Sequence, residues 1–299
     1  MTRVLSFGGA VMDFVNGGGD QWQARAGGSA WNVARVLVAL GQPAAFVGAL
    51  GDDPFAERLL AEGEAHGLDL SLVQRVAAPT ALSIIHRTSP VQYAFYAQNG
   101  ADSQFARFPG DGWGDVAAAY FGGITLLREP ARVPFLALAR EAQARGIKVV
   151  YDPNYRPQLA DASRTAFSHY VPLADLIKVS EEDLAGLLPQ LAPEEALARV
   201  RALNPGATVL LTLGAAGARL IGPDVDLHHP GFRVDVVDTV GAGDASIAGL
   251  LYSALHDSQA PPARHLGFAL ACAAAACTRP GAHAPALPEV HSLLKENST

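Results

Sequence analysis

Apolar residues along the chain come in short bursts of two kinds. Brief continuous runs read as buried strands: "RVLSFGG", "AAFVGALG", "IKVVYD", "LADLIKVS" and "ATVLLTLG". Between them lie stretches with apolar positions at helical spacing. "SAWNVARVLVALG" predicts a helix with Ser29 as N-cap and Gly41 as its stop. "DPFAERLLAEGEAHG" predicts another, with Pro54 in its first turn and Gly67 past its end. "ARVPFLALAREAQARG", "EEDLAGLL" and "EEALARVRAL" follow the same rule, and helices over 243–256 and 261–277 close the chain. "GARLIG" and "FRVDVVD" read as further strands. From "AYFGGITLL" onward strand and helix alternate, which implies parallel strands joined by crossover helices.

Two segments break this rhythm. Residues 11–26 are polar and Gly-rich, a loop or small exposed element, whereas "ALSIIHRTSPVQYAFYA" is β-rich with a turn at Thr88-Ser89-Pro90. The predicted architecture is one α/β domain over 1–299, a doubly wound, mostly parallel sheet flanked by helices. The two odd segments, about 11–26 and 80–100, pair across it as a small β lid. Ligands of such sheets bind beyond the carboxyl ends of the strands, here the turns after Gly8, Asp152, Ser180, Leu213 and Asp238. The hairpin carries Ile84, Ile85, Tyr93 and Phe95 on an exposed element, so a homodimer contact is expected there; the other reading is a cover over the substrate.

Composition narrows the partners. Apolar residues make up 49%, enough for a sizeable core, and the net charge of −7 argues against binding a nucleic-acid backbone. Cys272 and Cys277 share one Ala-rich stretch and read as small buried side chains, not as a disulfide framework or metal site. The start lacks the apolar core of a signal peptide, and no apolar run reaches the roughly 18 residues of a membrane span. A soluble, cytoplasmic protein with small-molecule partners is expected.

The candidate chemistry lies in "VVDTVGAGDASIAGLL", residues 236–251. Glycines before a helix leave unpaired amides open to an anion. Asp244 would repel a bound phosphate unless it has a task of its own, such as taking the proton from a hydroxyl beside it. The rival reading makes Asp238 and Asp244 helix caps around a tight turn. "DTVGAGDAS" resembles the C-terminal signature of the ribokinase-like (PfkB) carbohydrate kinases, and "AGGSAWNVARVLVALG" matches their N-terminal one. The resemblance continues through "GDDPFAERL", "YDPNYRP", "KVSEEDL" and "LTLGAAGA".

That resemblance implies ATP-dependent phosphorylation of a sugar-like hydroxyl. It makes Asp244 the catalytic base and Gly241, Ala242 and Gly243 the anion hole. Asp13 would bind sugar hydroxyls, Gly27 and Gly28 would let the sugar reach the backbone, and Asn32 would add amide contacts. Asn154 and Arg156 would face the phosphates, with Arg156 also counted at the substrate; a surface ion pair is its rival reading. Phe95 and Gln98 belong to "FYAQNGAD", in the place of a lid segment whose usual arginine is missing. Lys178, Ser180 and Asp183 match a region whose acids orient Mg²⁺ through water, although Ser180 and Asp183 replace the usual Asn and Glu, and a capping box competes. Thr212, Gly214 and Gly217 would line the nucleotide site. Asp238, the Val240 carbonyl and Gly281 of "CTRPGA" would hold a monovalent cation such as K⁺.

Other classes are absent from the text. No lysine follows a glycine as a phosphate loop requires, and no dinucleotide, zinc-peptidase or nucleophile-elbow motif appears. "YFGGITLLREPAR" and "YDPNYRP" look most like fructokinases; 2-keto-3-deoxygluconate kinase is the runner-up. A sugar sensor that has lost catalysis is the alternative from a different class.

Overall fold

The computed structural model describes residues 2–88 and 91–296, with the side chains of 86–88 and 91–92 left aside. The chain opens with β1 (Arg3–Gly8), β2 (Val11–Asn16), β3 (Trp22–Gly27) and α1 (Ser29–Ala39), then β4 (Ala44–Val47), β5 (Ala49–Leu50) and α2 (Pro54–Ala65). A short β6 (Gln74–Arg75) precedes β7 (Leu82–Thr88) and β8 (Val91–Tyr96). The alternating part follows: β9 (Val116–Gly122), α3 (Arg132–Ala144), β10 (Lys148–Asp152), α4 (Ala160–Tyr170), β11 (Leu176–Ser180), α5 (Glu181–Leu187), α6 (Pro193–Leu203) and β12 (Thr208–Thr212). β13 (Ala218–Gly222), β14 (Val225–His229), α7 (Ala242–His256), α8 (Pro262–Cys277) and α9 (Leu287–Glu296) complete it.

The main sheet has the order β14-β13-β12-β11-β10-β9-β1-β4. Its pairs are parallel from β4 through β12 and antiparallel at β12–β13 and β13–β14. Both faces are apolar, so the strands read as continuous runs, but alternate residues serve different cores. Val150 and Leu210 face the layer built with α1, α7 and α8; Val149, Tyr151, Val209 and Leu211 face the layer built with α3, α4 and α6. Trp31, fully buried, meets Phe46 edge-on at 5.2 Å. A Cβ at Gly63 would stand 2.8 Å from its ring, so α2 seats on α1 through that glycine.

A second sheet, order β3-β2-β7-β8, joins the two odd segments. Asp13 stands opposite Arg25 on one side and Ser83 on the other, so these share a face with Val15, Ile85, Tyr93 and Phe95. The reverse face rests on α2, where Phe14 meets Phe55 edge-on at 5.6 Å.

Several expectations change. Ser89 and Pro90 of the expected turn lie outside the described residues. Ser29 is not the N-cap; Gly28 takes that place with φ 102°, and Ser29 begins the helix with its hydroxyl turned elsewhere. "FRVDVVD" forms no strand. The sheet ends instead on Val225–His229, and Val237 and Asp238 donate their amides to the Cys277 carbonyl at 2.9 and 3.3 Å, tying this stretch to the end of α8. Val236 and Val237 are exposed accordingly. Of the apolar hairpin residues, Ile85 is buried, and Tyr93 stacks on Phe95 at 5.6 Å on the face that carries Asp13. Cys272 and Cys277 are free thiols on one helix. Among the described residues no helix is long and apolar enough to cross a membrane.

Trp31→Ala removes the largest side chain between α1, α2 and β4. It is expected to cost about 3–5 kcal/mol of stability, read as a lower urea midpoint at unchanged slope.

Candidate active site

The carboxyl ends of β1, β9, β10, β11 and β12 point to one side of the sheet, and the start of α7 lies there too. Gly241 caps that helix in the left-handed region, φ 80°. A Cβ there would also sit 2.8 Å from the Ala282 Cβ, so the position requires glycine twice over. The Ala242 amide donates to the Thr239 carbonyl at 3.2 Å, which leaves the next amides, of Gly243 and Asp244, at the open helix start. The Lys178 ammonium adds charge at this place; a Cβ on Gly243 would be 3.1 Å from it.

Asp244 is buried, and donors from another helix hold it. Ser29 Oγ donates to Oδ1 at 2.6 Å and Asn32 Nδ2 to Oδ2 at 2.8 Å. The Tyr120 hydroxyl lies 2.6 Å from Ser29 Oγ. Because the serine proton goes to Asp244, Tyr120 donates into Ser29, forming a chain from tyrosine to serine to carboxylate. Burial pushes the Asp244 carboxyl above the ordinary range, and Ser29, Asn32, Lys178 and Arg156 oppose it.

Lys178 sits 3.4 Å from both Asp152 Oδ2 and Asp183 Oδ2. Burial alone would lower its affinity for a proton, but Asp152, Asp183 and Asp244 together raise it, so it stays an ammonium. Asp152 moves up to about 6, through burial first, offset by Lys178. Across the cavity, Asp13 rises to about 7, again through burial, with Ser83 and Arg156 drawing it down. The Arg156 guanidinium lies 5.0 Å over the Tyr93 ring of the lid and opposes the charge of both Asp13 and Asp244. Its Nε is buried without a partner.

Three carboxylates of raised pKa, two cations and a free helix start thus converge. Such a set can take a proton from an alcohol and hold a phosphoryl group as it moves. Residues 1–289 match the pfkB family of carbohydrate kinases. The chain belongs to that family. Fructokinase-2 of Zea mays is 32% identical over 310 residues, 96% of this chain and 91% of its own. Aminoimidazole riboside kinase of Salmonella typhimurium is 31% identical over 94% of this chain and 91% of its own. The ATP-bound crystal structure of Xylella fastidiosa fructokinase superposes with a TM-score of 0.89 at 29% identity, over 99% of both chains. The chain is a sugar kinase with the doubly wound α/β fold of its relatives.

Several residues sit in this kinase otherwise than expected. Asn32 grips Asp244 through its amide nitrogen, and its Oδ1 is buried without a partner, facing no donor of the chain. Gly27 makes room for the Asp13 carboxylate, which a Cβ would overlap, and Gly28 for the Gly9 carbonyl. Among the described residues Arg156 forms no ion pair; it donates to the Asn154 and Tyr155 carbonyls at 3.3 and 2.8 Å. Gln98 is exposed past β8.

Ser180 and Asp183 form the capping box that competed with the magnesium reading. Asp183 accepts from the Ser180 amide at 2.8 Å and the Tyr155 amide at 3.0 Å, and these contacts with Lys178 hold its carboxyl below the usual range despite burial. Asn154, with φ 43°, donates its amide to Asp152 Oδ1 at 2.9 Å. Thr212 ends β12, and Gly214 borders open space with φ 56°. Gly217 does not line that space, because a Cβ there would run into the His229 carbonyl.

At the corner expected to hold a monovalent cation, Asp238 accepts from the Val240 and Gly281 amides at 3.0 and 2.7 Å. The Arg25 guanidinium packs against Gly281, with Nη1 2.6 Å from where a Cβ would be. A guanidinium therefore stands at that corner, beside the Gly281 expected to help hold the ion. The sequence reading missed Ser29, Tyr120 and Asp152. Tyr120 is the one hydroxyl in "VAAAYFG", and Gly122 leaves the space its oxygen fills.

Ser29→Ala removes a charge-assisted donor worth about 1.5–3 kcal/mol, on the order of one to two pH units. That donor favours the ionised base, so its loss raises the Asp244 pKa. The acid limb of kcat is expected to move at least one unit alkaline, with sugar KM nearly unchanged and Ser29→Thr restoring the limb. A drop in rate at an unmoved limb would reduce Ser29 to a packing role.

Proposed function

We propose that the protein transfers the γ-phosphoryl group of ATP to a primary hydroxyl, O6 or O1, of fructose. The observation that carries this reading is the start of α7, where open amides adjoin a buried carboxylate whose proton affinity is raised. The likeness to fructokinases over nearly the whole chain supports the sugar.

In this reading fructose lies between the lid sheet and α7, with Asp13 accepting its hydroxyls and the free Asn32 Oδ1 accepting another. Asp244 takes the proton of the attacking hydroxyl as its oxygen bonds to phosphorus and the bond to the ADP oxygen breaks. The amides of Gly243 and Asp244, with Lys178, face the charge gathered on the transferred group. Arg156, held over Tyr93, offsets the charge of Asp13 and Asp244 as the two acids approach one ligand. The lid keeps water from competing as acceptor. Thr212 and Gly214 border the nucleotide, which enters at the carboxyl ends of β11 and β12.

Among the described residues no three acidic, His or Cys side chains are arranged to hold a metal ion. Mg²⁺ that arrives with a nucleotide keeps much of its water and commonly binds substrate phosphates and one or two carboxylates. Asp152 and Asp183, two acids against the single Lys178, leave surplus negative charge toward that water shell. When bound, Mg²⁺ neutralises phosphate charge.

Likeness to aminoimidazole riboside kinase keeps a riboside as second reading, and the exposed Gln98 leaves the acceptor side without the usual lid arginine. ADP release measured with fructose, ribosides and 2-keto-3-deoxygluconate is expected to be highest with fructose. Sugars that raise the melting temperature without any turnover would point to a sensor. Asp244→Asn is expected to lower kcat by roughly 10²–10⁴ while fructose binding, read by calorimetry, changes only a few-fold.

The pH profile gives a further check. Asp13 accepts hydroxyls best when ionised, and in the sugar-free protein it ionises near pH 7. kcat/KM for fructose is therefore expected to rise through about 7. Asp13→Asn should abolish that limb and leave the kcat limb in place.

A further inference from the structure

Behind the acceptor cleft, a cavity of about 330 Å³ opens between β3, α1, α2 and the loop after α8. That volume lies at the lower end of the roughly 300–1,000 Å³ typical of small-molecule sites. Its charged lining is Arg25, Arg35, Arg58, Arg279, His283 and Glu62. On a chain of net charge −7 this concentration of guanidinium groups is unusual.

Their own partners do not neutralise them. Arg35 is 9% exposed, pairs with Glu62 at 3.2 Å, and keeps its buried Nε without a partner. Arg279 and His283 share a single carboxylate, Glu289, at 3.1 and 3.3 Å. Arg58 donates only to the Ala24 carbonyl at 2.6 Å and Arg25 to the Gln23 amide oxygen at 2.7 Å. Among the described residues neither of these two has a carboxylate within 4.0 Å. Four guanidiniums thus face two carboxylates, an excess of two positive charges before His283 is counted. A phosphate monoester carries about −1.5 to −2 at pH 7, and arginine forks match its oxygens in pairs.

We propose that this cavity is a second anion site, distinct from the phosphoryl-transfer site, that binds a small phosphomonoester or inorganic phosphate. The site stands whichever sugar the kinase phosphorylates. Its wall is also the backing of the reaction site: Gly281 donates to Asp238, and Ala282 packs against Gly241 at the cap of α7. The Arg35 guanidinium reaches the Ala282 carbonyl at 3.4 Å. An anion drawn onto these arginines therefore touches the loop that fixes the anion hole, a position suited to sensing phosphorylated product.

Calorimetric titration of inorganic phosphate and of fructose 6-phosphate into the wild-type chain and an Arg58→Ala/Arg279→Ala double variant tests this. Both side chains lie at the outer rim, so the variant is expected to fold and to keep its anion-free kcat within twofold. Wild type is expected to bind at least one probe at roughly millimolar Kd or tighter, with the variant at least tenfold weaker. Tighter binding of the ester assigns the site to sugar phosphates, and tighter binding of phosphate assigns it to the free ion. Equal affinity in wild type and variant would place the anion at the reaction site and overturn the proposal, as would wild type that binds neither probe.

Discussion

A buried carboxylate that must remain usable as a base governs this structure. Asp244 begins one helix, yet the groups that steady it, Ser29 and Asn32, come from another, and the nearest cation, Lys178, comes from a strand. Burial costs an ionised carboxylate heavily unless donors and opposite charge surround it. The helix start supplies part of that compensation through its dipole, and the serine and amide supply the rest. Every element of the site is placed to serve this one group or to answer its charge.

The balance of charge follows from that constraint. Among the described residues, the charges opposing Asp13, Asp152, Asp183 and Asp244 are Lys178 and Arg156. The three acids nearest Lys178 divide the compensation unevenly. Asp183 receives two backbone amides and titrates low, whereas Asp152 and Asp244 are left high. A site with surplus negative charge and open amides is poor at holding a bare phosphate and suited to one that brings a dication.

Small residues carry much of the geometry, each for its own reason. Gly241 is fixed by backbone conformation and by Ala282, Gly27 by the carboxylate that fills its missing side chain, and Gly122 by the tyrosine oxygen behind Ser29. Those contacts bind the lid sheet, the central sheet and the last helices into one unit around the acids.

The sequence alone determined the alternation of strand and helix and, through apolar runs with flanking stops, most element positions. It also marked the glycine-flanked helix start, since that chemistry is local: a few consecutive residues create the open amides and place Asp244 among them. What only the tertiary structure decided is where side chains look once distant segments meet. Ser29 reads as a cap because its neighbours suggest one, but the approach of α7 makes its hydroxyl a donor to Asp244. Asn32 gives its amide nitrogen to the base for the same reason and keeps its Oδ1 free. "FRVDVVD" alternates like a strand, yet the sheet edge is already taken by Val225–His229 and the stretch is bound to the end of α8. Helix α4 has its buried residues at Ser163, Ala166, Phe167 and Tyr170, a legible spacing hidden by the polar residues between them. Pairings across the fold depend on which surfaces close together, and no local pattern encodes that.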